Sequence, residues 1–282
     1  MAYNNDYSRD NYGLHIALVP NGKSRSLTST PFCLPMTHTY LRSNTHQDNN
    51  HISTMSHTQS ANMSPQKVPL TLIVAATPKN GIGKNGALPW PMLKKEMAYF
   101  ARVTKRVPTC TSTSTNPSKA ENEQAKSLPR NAVIMGRKTW DSIPPKFRPL
   151  KDRTNIVISS QERNALSGVT DDVVVSSSIL DGLSELEAAV QNGRAPALGR
   201  AYVIGGARIY DAAMELEQTK HVLLTRVARE YECDTFFPDL EGSERWAKKE
   251  RKELEDFVGE EVVEGGLEEE GVKYEFQLWE RD

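Results

Sequence analysis

Residues 70–100, LTLIVAATPKNGIGKNGALPWPMLKKEMAYF, hold the pattern from which the rest of the chain is interpreted. The β-branched run at 70–77 predicts a strand, and a glycine-rich loop and a Leu-Pro-Trp-Pro turn follow it. The next segment predicts a helix whose apolar face, spaced i, i+3, i+4 and i+7, consists of Leu93, Glu96, Met97 and Phe100. Because burial raises the pKa of a carboxyl group, Glu96 on this face must be paired, protonated or used in chemistry.

The rest of the folded part alternates short β-branched runs with helical segments. The predicted strands cover residues 70–77, 132–135, 155–159, 172–175, 201–204 and 221–227. This alternation is typical of a single α/β domain, here 67–282, with a central, mostly parallel twisted sheet and helices on both faces. Near the chain end, an alternating apolar pattern predicts an antiparallel C-terminal edge strand with these residues inward: Val272, Tyr274, Phe276 and Leu278.

Three other segments have the composition of loops or tails. Residues 1–66, rich in Asn, Ser, Thr and His, predict a disordered extension, with a targeting peptide or a gene-model extension as the alternatives. A mitochondrial presequence is weakly supported by this composition, so a cytoplasmic location is expected. Residues 107–131 predict a surface insertion loop. The acidic stretch at 260–270 predicts a solvated connection.

Composition narrows the class of partner. A formal net charge of −1 gives no reason to expect nucleic acid or an acidic membrane surface as the main partner, so a small molecule is favoured. The longest apolar runs have the length of strands, which predicts no membrane span. The three cysteines have no metal-binding spacing and indicate a reducing compartment, with no metal expected: Cys33, Cys110 and Cys233.

Three strand ends lead into glycine- or hydroxyl-rich turns, at 134–140, 158–164 and 203–210. In an open α/β sheet the carboxyl ends of the strands border the ligand cleft, so these turns are predicted to bind one ligand with several phosphate groups, such as a dinucleotide. The glycines at 81, 83 and 86 also match G-x-G-x-x-G, but a Pro-Trp-Pro turn follows where a helix should begin. This segment is therefore predicted to be a mobile loop that closes over the site.

The segments IVAATPKNGIGKNGALPWP, IMGRKTWDSIP, RPLKDR, VIGGARIY and TRVAREYECDTFFP occur together in that order across residues 70–282. In this the chain resembles the dihydrofolate reductases, and among them the eukaryotic, fungal-type members. The resemblance implies hydride transfer from NADPH to dihydrofolate, which supplies tetrahydrofolate for one-carbon metabolism. It also implies inhibition by antifolates such as methotrexate, and a monomeric enzyme.

The resemblance also implies roles for particular residues. Glu96 would hydrogen-bond the pterin, with Thr225 and Trp90 in a water-mediated network, and would support protonation of N5 through tautomerisation or a water. Arg153 would bind the glutamate carboxylate of the substrate with its two-pronged guanidinium. The expected catalytic residues are Glu96, Trp90, Leu88 and Thr225. The expected substrate-binding residues are Ile73, Val74, Glu96, Met97, Phe100, Ile143, Leu150, Arg153, Ile204, Tyr210 and Thr225.

The cofactor site implied by the resemblance spans the glycine loop and the three turns. Ser160 stands where many eukaryotic members have an arginine, which leaves Arg137 as the main candidate for the 2′-phosphate of NADPH. The Gly205–Gly206 peptide is cis in relatives. The expected cofactor-binding residues are Ala75, Ile82, Gly83, Lys84, Asn85, Gly86, Ala87, Leu88, Arg137, Lys138, Thr139, Ser159, Ser160, Gln161, Gly205, Gly206, Ala207, Arg208, Ile209 and Tyr210.

Two classes of alternative remain open from the sequence. A related NADPH-dependent pyrimidine reductase of riboflavin synthesis would share the fold and the cofactor site, but would need neither Glu96 nor Arg153 in these settings. The second class is a protein without catalysis, either a folate or nucleotide carrier or an RNA-binding protein. The intact acid, loop and cofactor-edge residues argue against a protein that has lost catalysis, and the near-zero net charge argues against RNA binding. Consumption of NADPH on addition of dihydrofolate distinguishes these alternatives from a dihydrofolate reductase.

Overall fold

The structure is a computed structural model that describes residues 68–108 and 128–281. The predicted extension at 1–66 lies outside the described residues, and the predicted insertion at 107–131 is described only at its two ends. The strands are β1 (Leu70–Ala76), β2 (Gly81–Gly83), β3 (Arg130–Gly136), β4 (Thr154–Ile158), β5 (Val174–Ser176), β6 (Leu198–Gly205), β7 (Thr219–Val227), β8 (Thr235–Phe236), β9 (Ala247–Lys248), β10 (Leu267–Glu269) and β11 (Val272–Glu280). The helices are α1 (Lys94–Lys105), α2 (Arg137–Ser142), α3 (Ile179–Gln191), α4 (Ala207–Met214) and α5 (Arg251–Val258).

One twisted sheet organises the fold. Its strand order is β10-β11-β7-β1-β6-β3-β4-β5, and β9 also pairs with β11. The pairs from β7 to β5 are all parallel, whereas β11 runs antiparallel to β7. The parallel strands therefore end at one common edge, where β3, β4 and β6 lead into the three predicted ligand-binding turns and β1 leads into the glycine segment.

Helices cover both faces of the sheet, as the sequence predicts. One apolar layer packs α1, α2 and α5 against residues such as Ile73, Val133 and Leu223. The opposite layer packs α3 and α4 against the alternate residues of the same strands, such as Leu72, Ile134 and Val222. Because successive side chains of a strand point to opposite faces, strands buried on both faces need continuous apolar runs, which these strands have.

The six predicted parallel strands are all present, each with ends within three residues of the predicted ones. The largest difference is at β6, which begins at Leu198 rather than at 201, because Gly199 and Arg200 interrupt the apolar pattern although the strand continues through an irregular pairing with β3. Gly199 is needed there, since a Cβ at this position would lie 2.5 Å from Oδ1 of Asn131.

The C-terminal strand β11 is antiparallel, as predicted, but it has further neighbours on its outer side. The short strands β10 and β9 pair with it, so the acidic stretch at 260–270 is only partly a solvated connection. Within that stretch, Glu260 forms salt bridges with Arg102 at 2.8 Å and Arg106 at 3.3 Å. Composition indicated the charge of this segment and could not show that basic side chains of α1 face it.

Asn131 joins the two described ends of the 107–131 segment. Its amide nitrogen donates to the backbone oxygens of Thr104 and Arg106 at the end of α1, and its amide oxygen accepts from the N–H of Arg200. Asn131 is fully buried at the amino edge of the parallel strands, opposite the edge with the predicted turns.

Two further features concern the described residues as a whole. Each helix in this part of the chain is too short or too polar to cross a membrane. Within the same residues, no group of three or more His, Cys, Asp or Glu side chains is placed to hold a metal ion.

Candidate active site

A cleft of about 570 Å³, including its open mouth, lies at the carboxyl edge of β1 and β6. It is mostly apolar, and one carboxyl group, that of Glu96, lies in its wall. Every residue that lines it belongs to the sets expected for substrate or cofactor. The lining residues are Ile73, Val74, Ala75, Ile82, Leu88, Glu96, Met97, Phe100, Ile204, Gly205 and Tyr210.

Glu96 is held on the cleft wall by the first turn of α1 and by β7. The predicted apolar face of the helix is buried at Leu93, Met97 and Phe100, which turns the Glu96 side chain toward the sheet. The hydroxyl of Thr225 on β7 donates to Oε1 of Glu96 at 3.2 Å. The predicted pair of Glu96 and Thr225 is therefore in contact in the structure.

The environment of Glu96 favours its protonated form. Burial is the largest effect and raises the pKa of Glu96 from 4.5 to about 7, while the hydrogen bond from Thr225 acts in the opposite direction. The negative charge of Glu269 raises the pKa further. A carboxyl group with a pKa near 7 is populated in both protonation states at neutral pH, which suits a group that delivers a proton.

The floor of the cleft is built from close backbone approaches. The Gly205–Gly206 peptide is cis, as the resemblance implies, and Gly205 has φ of 120°. The hydroxyl of Tyr210 on α4 donates to the backbone oxygen of Ile73 at 2.7 Å, which joins the start of α4 to β1. These contacts place the turn after β6 directly beside the end of β1.

Some predicted substrate residues lie beside the cleft rather than in its lining. Ile143 and Leu150 are buried in the apolar layer that also contains Phe100. Trp90 is 5% exposed and packs in a separate cluster with Leu93 and Val227, edge-on to Tyr231. Trp90 thus supports the helix start from behind, and its predicted contact with a pterin through water stays a prediction.

Arg153 is 8% exposed and is fixed by two hydrogen bonds. Its Nη1 donates to Oγ1 of Thr104 on α1 at 2.9 Å, and its Nε donates to the backbone oxygen of Lys151 at 3.0 Å. Burial lowers the pKa of Arg153 to about 10, so the guanidinium remains charged at neutral pH. A buried, oriented guanidinium is well suited to a carboxylate ligand.

The predicted phosphate-binding turns differ in how their side chains are held. Arg137 forms a salt bridge from Nη1 to Oδ2 of Asp141 at 3.0 Å and is partly exposed. The hydroxyl of Ser159 accepts a hydrogen bond from the N–H of Gln161, whereas Ser160 is exposed. Thr139 is fully buried, and its hydroxyl has no hydrogen-bond partner among the described residues.

The glycine segment at 81–87 is a paired ribbon rather than an unpaired loop. Gly81 and Gly83 in β2 pair with β8, and the N–H of Asn85 donates to Oδ2 of Asp234 at 2.7 Å. A Cβ at Gly81 would overlap Sγ of Cys233, so close packing requires this glycine. Local composition indicated only a mobile loop, because it carries no information about hydrogen bonds to the distant segment at 234–236.

The sequence did not single out three residues that support this site. Arg226 holds the turn before β2 by donating to the backbone oxygen of Thr77 and to Oδ1 of Asn80. Glu269 and Tyr274, from the β10–β11 hairpin, contact the first turn of α1. A hairpin was detectable at Gly271, which separates an acidic run from the alternating pattern of β11.

An open α/β sheet with an apolar cleft at its carboxyl edge and one half-buried acid in the cleft wall defines an enzyme that acts on a small organic molecule. The chain is 40% identical over 228 residues to the dihydrofolate reductase of Pneumocystis carinii, which covers 77% of this chain and 98% of that relative. The chain belongs to the dihydrofolate reductase family.

Other comparisons agree with this assignment. The dihydrofolate reductase of Rattus norvegicus is 38% identical over 213 residues, which covers 76% of this chain and 97% of the relative. The family model described as "Dihydrofolate reductase" matches residues 124–262. Among solved structures, the dihydrofolate reductase of Schistosoma mansoni superposes with a TM-score of 0.56 at 29% identity, over 76% of this chain and 99% of that one.

Proposed function

We propose that this chain reduces 7,8-dihydrofolate to 5,6,7,8-tetrahydrofolate with NADPH as the hydride donor. The observation that carries the proposal is Glu96, a carboxyl group on the wall of an apolar cleft whose pKa is raised to about 7. Reduction of the pterin C6–N5 bond needs a hydride at C6 and a proton at N5. Glu96 is the carboxyl group in the cleft lining, so it is the source of that proton, which would reach N5 through tautomerisation of the pterin or through a water.

The contacts of Glu96 define how it holds the proton. Oε1 accepts the hydrogen bond of Thr225, so in the protonated acid Oε2 is the oxygen that carries the proton. Met97 and Phe100 lie on the same helix face and give this part of the cleft an apolar lining. These apolar surroundings raise the pKa of the carboxyl group to about 7, so a substantial fraction of it is protonated at neutral pH.

The residues of the turns at 134–140 and 203–210 fit a phosphate-bearing cofactor. At Gly136, a Cβ would lie 2.9 Å from Cγ1 of Ile209 and 3.8 Å from the backbone nitrogen of Gly206. The backbones of the turn after β3 and the turn after β6 therefore approach each other closely, with no side chain at Gly136 between them. The first N–H groups of α4 have no intrahelical partners, and the buried hydroxyl of Thr139 is also a hydrogen-bond donor. NADPH bound here would supply the hydride, held by the turns at 136–139 and 205–209.

The proposal is tested by following NADPH absorbance when dihydrofolate is added to the purified full chain. We expect consumption of NADPH that stops on addition of methotrexate. Consumption of NADPH only with a riboflavin-pathway pyrimidine substrate would contradict the proposal and indicate the related reductase. Binding of either ligand without turnover would indicate a carrier.

For Arg137→Ala, we expect the preference for NADPH over NADH to fall by about ten- to a hundredfold, the loss expected when one charge-assisted contact to a phosphate is removed. Dissociation constants of both cofactors, from quenching of tryptophan fluorescence, check this result. Asp141→Asn is the matched control, because it removes the salt bridge of Arg137 and keeps the guanidinium. An unchanged ratio of the two constants in Arg137→Ala would mean that Ser160 or another residue binds the 2′-phosphate.

For Arg153→Lys, we expect KM for dihydrofolate to rise by about ten- to a hundredfold with kcat little changed. A lysine keeps the charge and loses the two-pronged geometry that binds a carboxylate through both oxygens. Steady-state kinetics measure both constants, and Lys151→Ala on the exposed neighbour is the control. If a substrate analogue without the glutamate moiety showed the same rise, Arg153 would act on the fold rather than on the carboxylate.

A further inference from the structure

The helix that carries Glu96 begins without a capping side chain of its own. Its N-cap residue is Leu93, which has an apolar side chain and makes no capping hydrogen bond. The first N–H groups of a helix have no intrahelical acceptors, and leaving them unpaired beside a buried site destabilises the first turn. Glu96 lies in that first turn, so its position depends on whatever accepts these hydrogen bonds.

The β10–β11 hairpin provides the acceptors. Both carboxylate oxygens of Glu269 accept from the backbone N–H of Lys95, Oε1 at 3.1 Å and Oε2 at 2.9 Å. The hydroxyl of Tyr274 donates to Oε2 of Glu269 at 2.7 Å, and the backbone of Glu96 is near enough to the same hydroxyl to act on its pKa, in the lowering direction. Tyr274 is 2% exposed, so this hydroxyl is fixed between the hairpin and the helix.

We propose that Glu269 is a positioning residue for Glu96: together with Tyr274, it binds the first turn of α1 and places a negative charge beside the acid in the cleft. This inference rests on the proposed function of Glu96 as the proton source. Glu269 does not line the cleft, so it acts through the helix start and through its charge. A carboxylate is favoured at this position because it also meets the positive end of the helix dipole.

The charges around Glu96 decide what the removal of Glu269 should do. The ionisable groups that interact with Glu96 are Glu269 from β10, Tyr274 from β11, Tyr210 from α4 and Tyr99 from α1 itself. Burial raises the pKa of each tyrosine above its usual value, so all three are neutral near pH 7. Glu269 is therefore the group among these four whose charge opposes ionisation of Glu96.

Three variants of the full chain separate charge from positioning. Glu269→Gln removes the charge and keeps an oxygen that can accept from the N–H of Lys95. Tyr274→Phe keeps the charge and the buried ring and removes the hydroxyl that joins the hairpin to the helix. Glu268→Gln is the control, because Glu268 is an exposed neighbour whose carboxylate lies 3.9 Å from Nζ of Lys273.

Two measurements are made on each variant. Carbon-13 NMR follows the titration of the Glu96 carboxyl group in the ligand-free protein, with its signal assigned by its absence in Glu96→Gln. Steady-state assays then give kcat and KM for dihydrofolate between about pH 5 and pH 9. The NMR titration needs no turnover, so the inference about Glu269 can fail or hold independently of the proposed function.

We expect Glu269→Gln to move the Glu96 titration and the pH profile of kcat to lower pH by about half a unit, as expected for loss of one partly solvated like charge. Above pH 7 this lowers kcat about threefold, with KM unchanged. Tyr274→Phe should lower kcat by a similar factor while the pH midpoint moves less. Unmoved titrations in Glu269→Gln, or an equal movement in Glu268→Gln, would overturn the inference, whereas a wild-type protein that leaves dihydrofolate unreduced would overturn the proposed function.

Discussion

Glu96→Gln should lower the rate of dihydrofolate reduction at about pH 7 by a factor on the order of 10² to 10⁴, the usual contribution of a positioned general acid. The amide keeps the size of the side chain and can still accept the hydrogen bond from Thr225, but it has no proton to give. Single-turnover stopped-flow measurements isolate the hydride step, and the dissociation constant of NADPH should stay within about twofold of the wild-type value.

The pH dependence gives a second measurement of the same prediction. The wild-type rate should fall as the pH rises above about 7, because deprotonation of Glu96 removes the proton source. The residual rate of Glu96→Gln should lack this midpoint, since the amide does not titrate. If the variant kept most of the wild-type rate, Glu96 would not be the acid.

The same substitution should stabilise the fold at alkaline pH. The pKa of Glu96 is raised in the folded state, so between 4.5 and about 7 the folded protein binds more protons than the unfolded chain. The contribution of this group to stability is therefore favourable at low pH and is lost as the pH rises through 7. The upper bound on this loss is about 3 kcal/mol, and the actual loss is smaller because the cleft is open to water. Urea unfolding should show Glu96→Gln to be more stable than wild type at about pH 8, and this difference should shrink toward pH 5.

The second large effect is expected for Asn131→Ala, which should lower the free energy of unfolding by about 3–5 kcal/mol. The substitution removes the partner of the buried oxygen of Thr104 and of two part-buried groups, the oxygen of Arg106 and the N–H of Arg200. Each unsatisfied buried group costs about 1–3 kcal/mol. Urea denaturation followed by circular dichroism measures the change.

Asn192→Ala is the matched control for this prediction. Asn192 is the C-cap residue of α3 and is exposed, so its loss should change the free energy of unfolding by less than about 1 kcal/mol. Because Asn131 lies at the edge opposite the cleft, the folded fraction of Asn131→Ala should keep a near wild-type kcat. Equal stability of the two variants would show that water replaces the amide of Asn131.

The parallel strands were predictable because each is buried on both faces and so requires a continuous apolar run that ends in glycine or a hydroxyl residue. The same periodicity identified Glu96 as a carboxyl group on an apolar helix face. The family resemblance then supplied further residues, some of which line the cleft, such as Ile73 and Ile204, whereas others, such as Ile143, lie beside it. Their individual roles toward substrate and cofactor stay predictions.

The features that were not predictable depend on contacts between segments far apart in the chain. Pairing of β2 with β8 joins segments about 150 residues apart, and the contact of Glu269 with Lys95 spans 174 positions. Neither partner carries a local pattern that specifies the other. An acidic run has the same composition whether it is solvated or binds a helix start, so only the fold distinguishes Glu268 from Glu269.

The hydrogen bonds of Asn131 to the end of α1 have a consequence for protein engineering. The backbone that leaves α1 and the backbone that enters β3 are held side by side by one amide, at the edge of the sheet away from the chemistry. Lengthening a connection whose ends are already fixed costs only about 0.6 kcal/mol for each doubling of its length. A fluorescent protein, an affinity tag or a new pair of chain termini placed between residues 109 and 127 should therefore give a reporter that folds and turns over with nearly native kinetics.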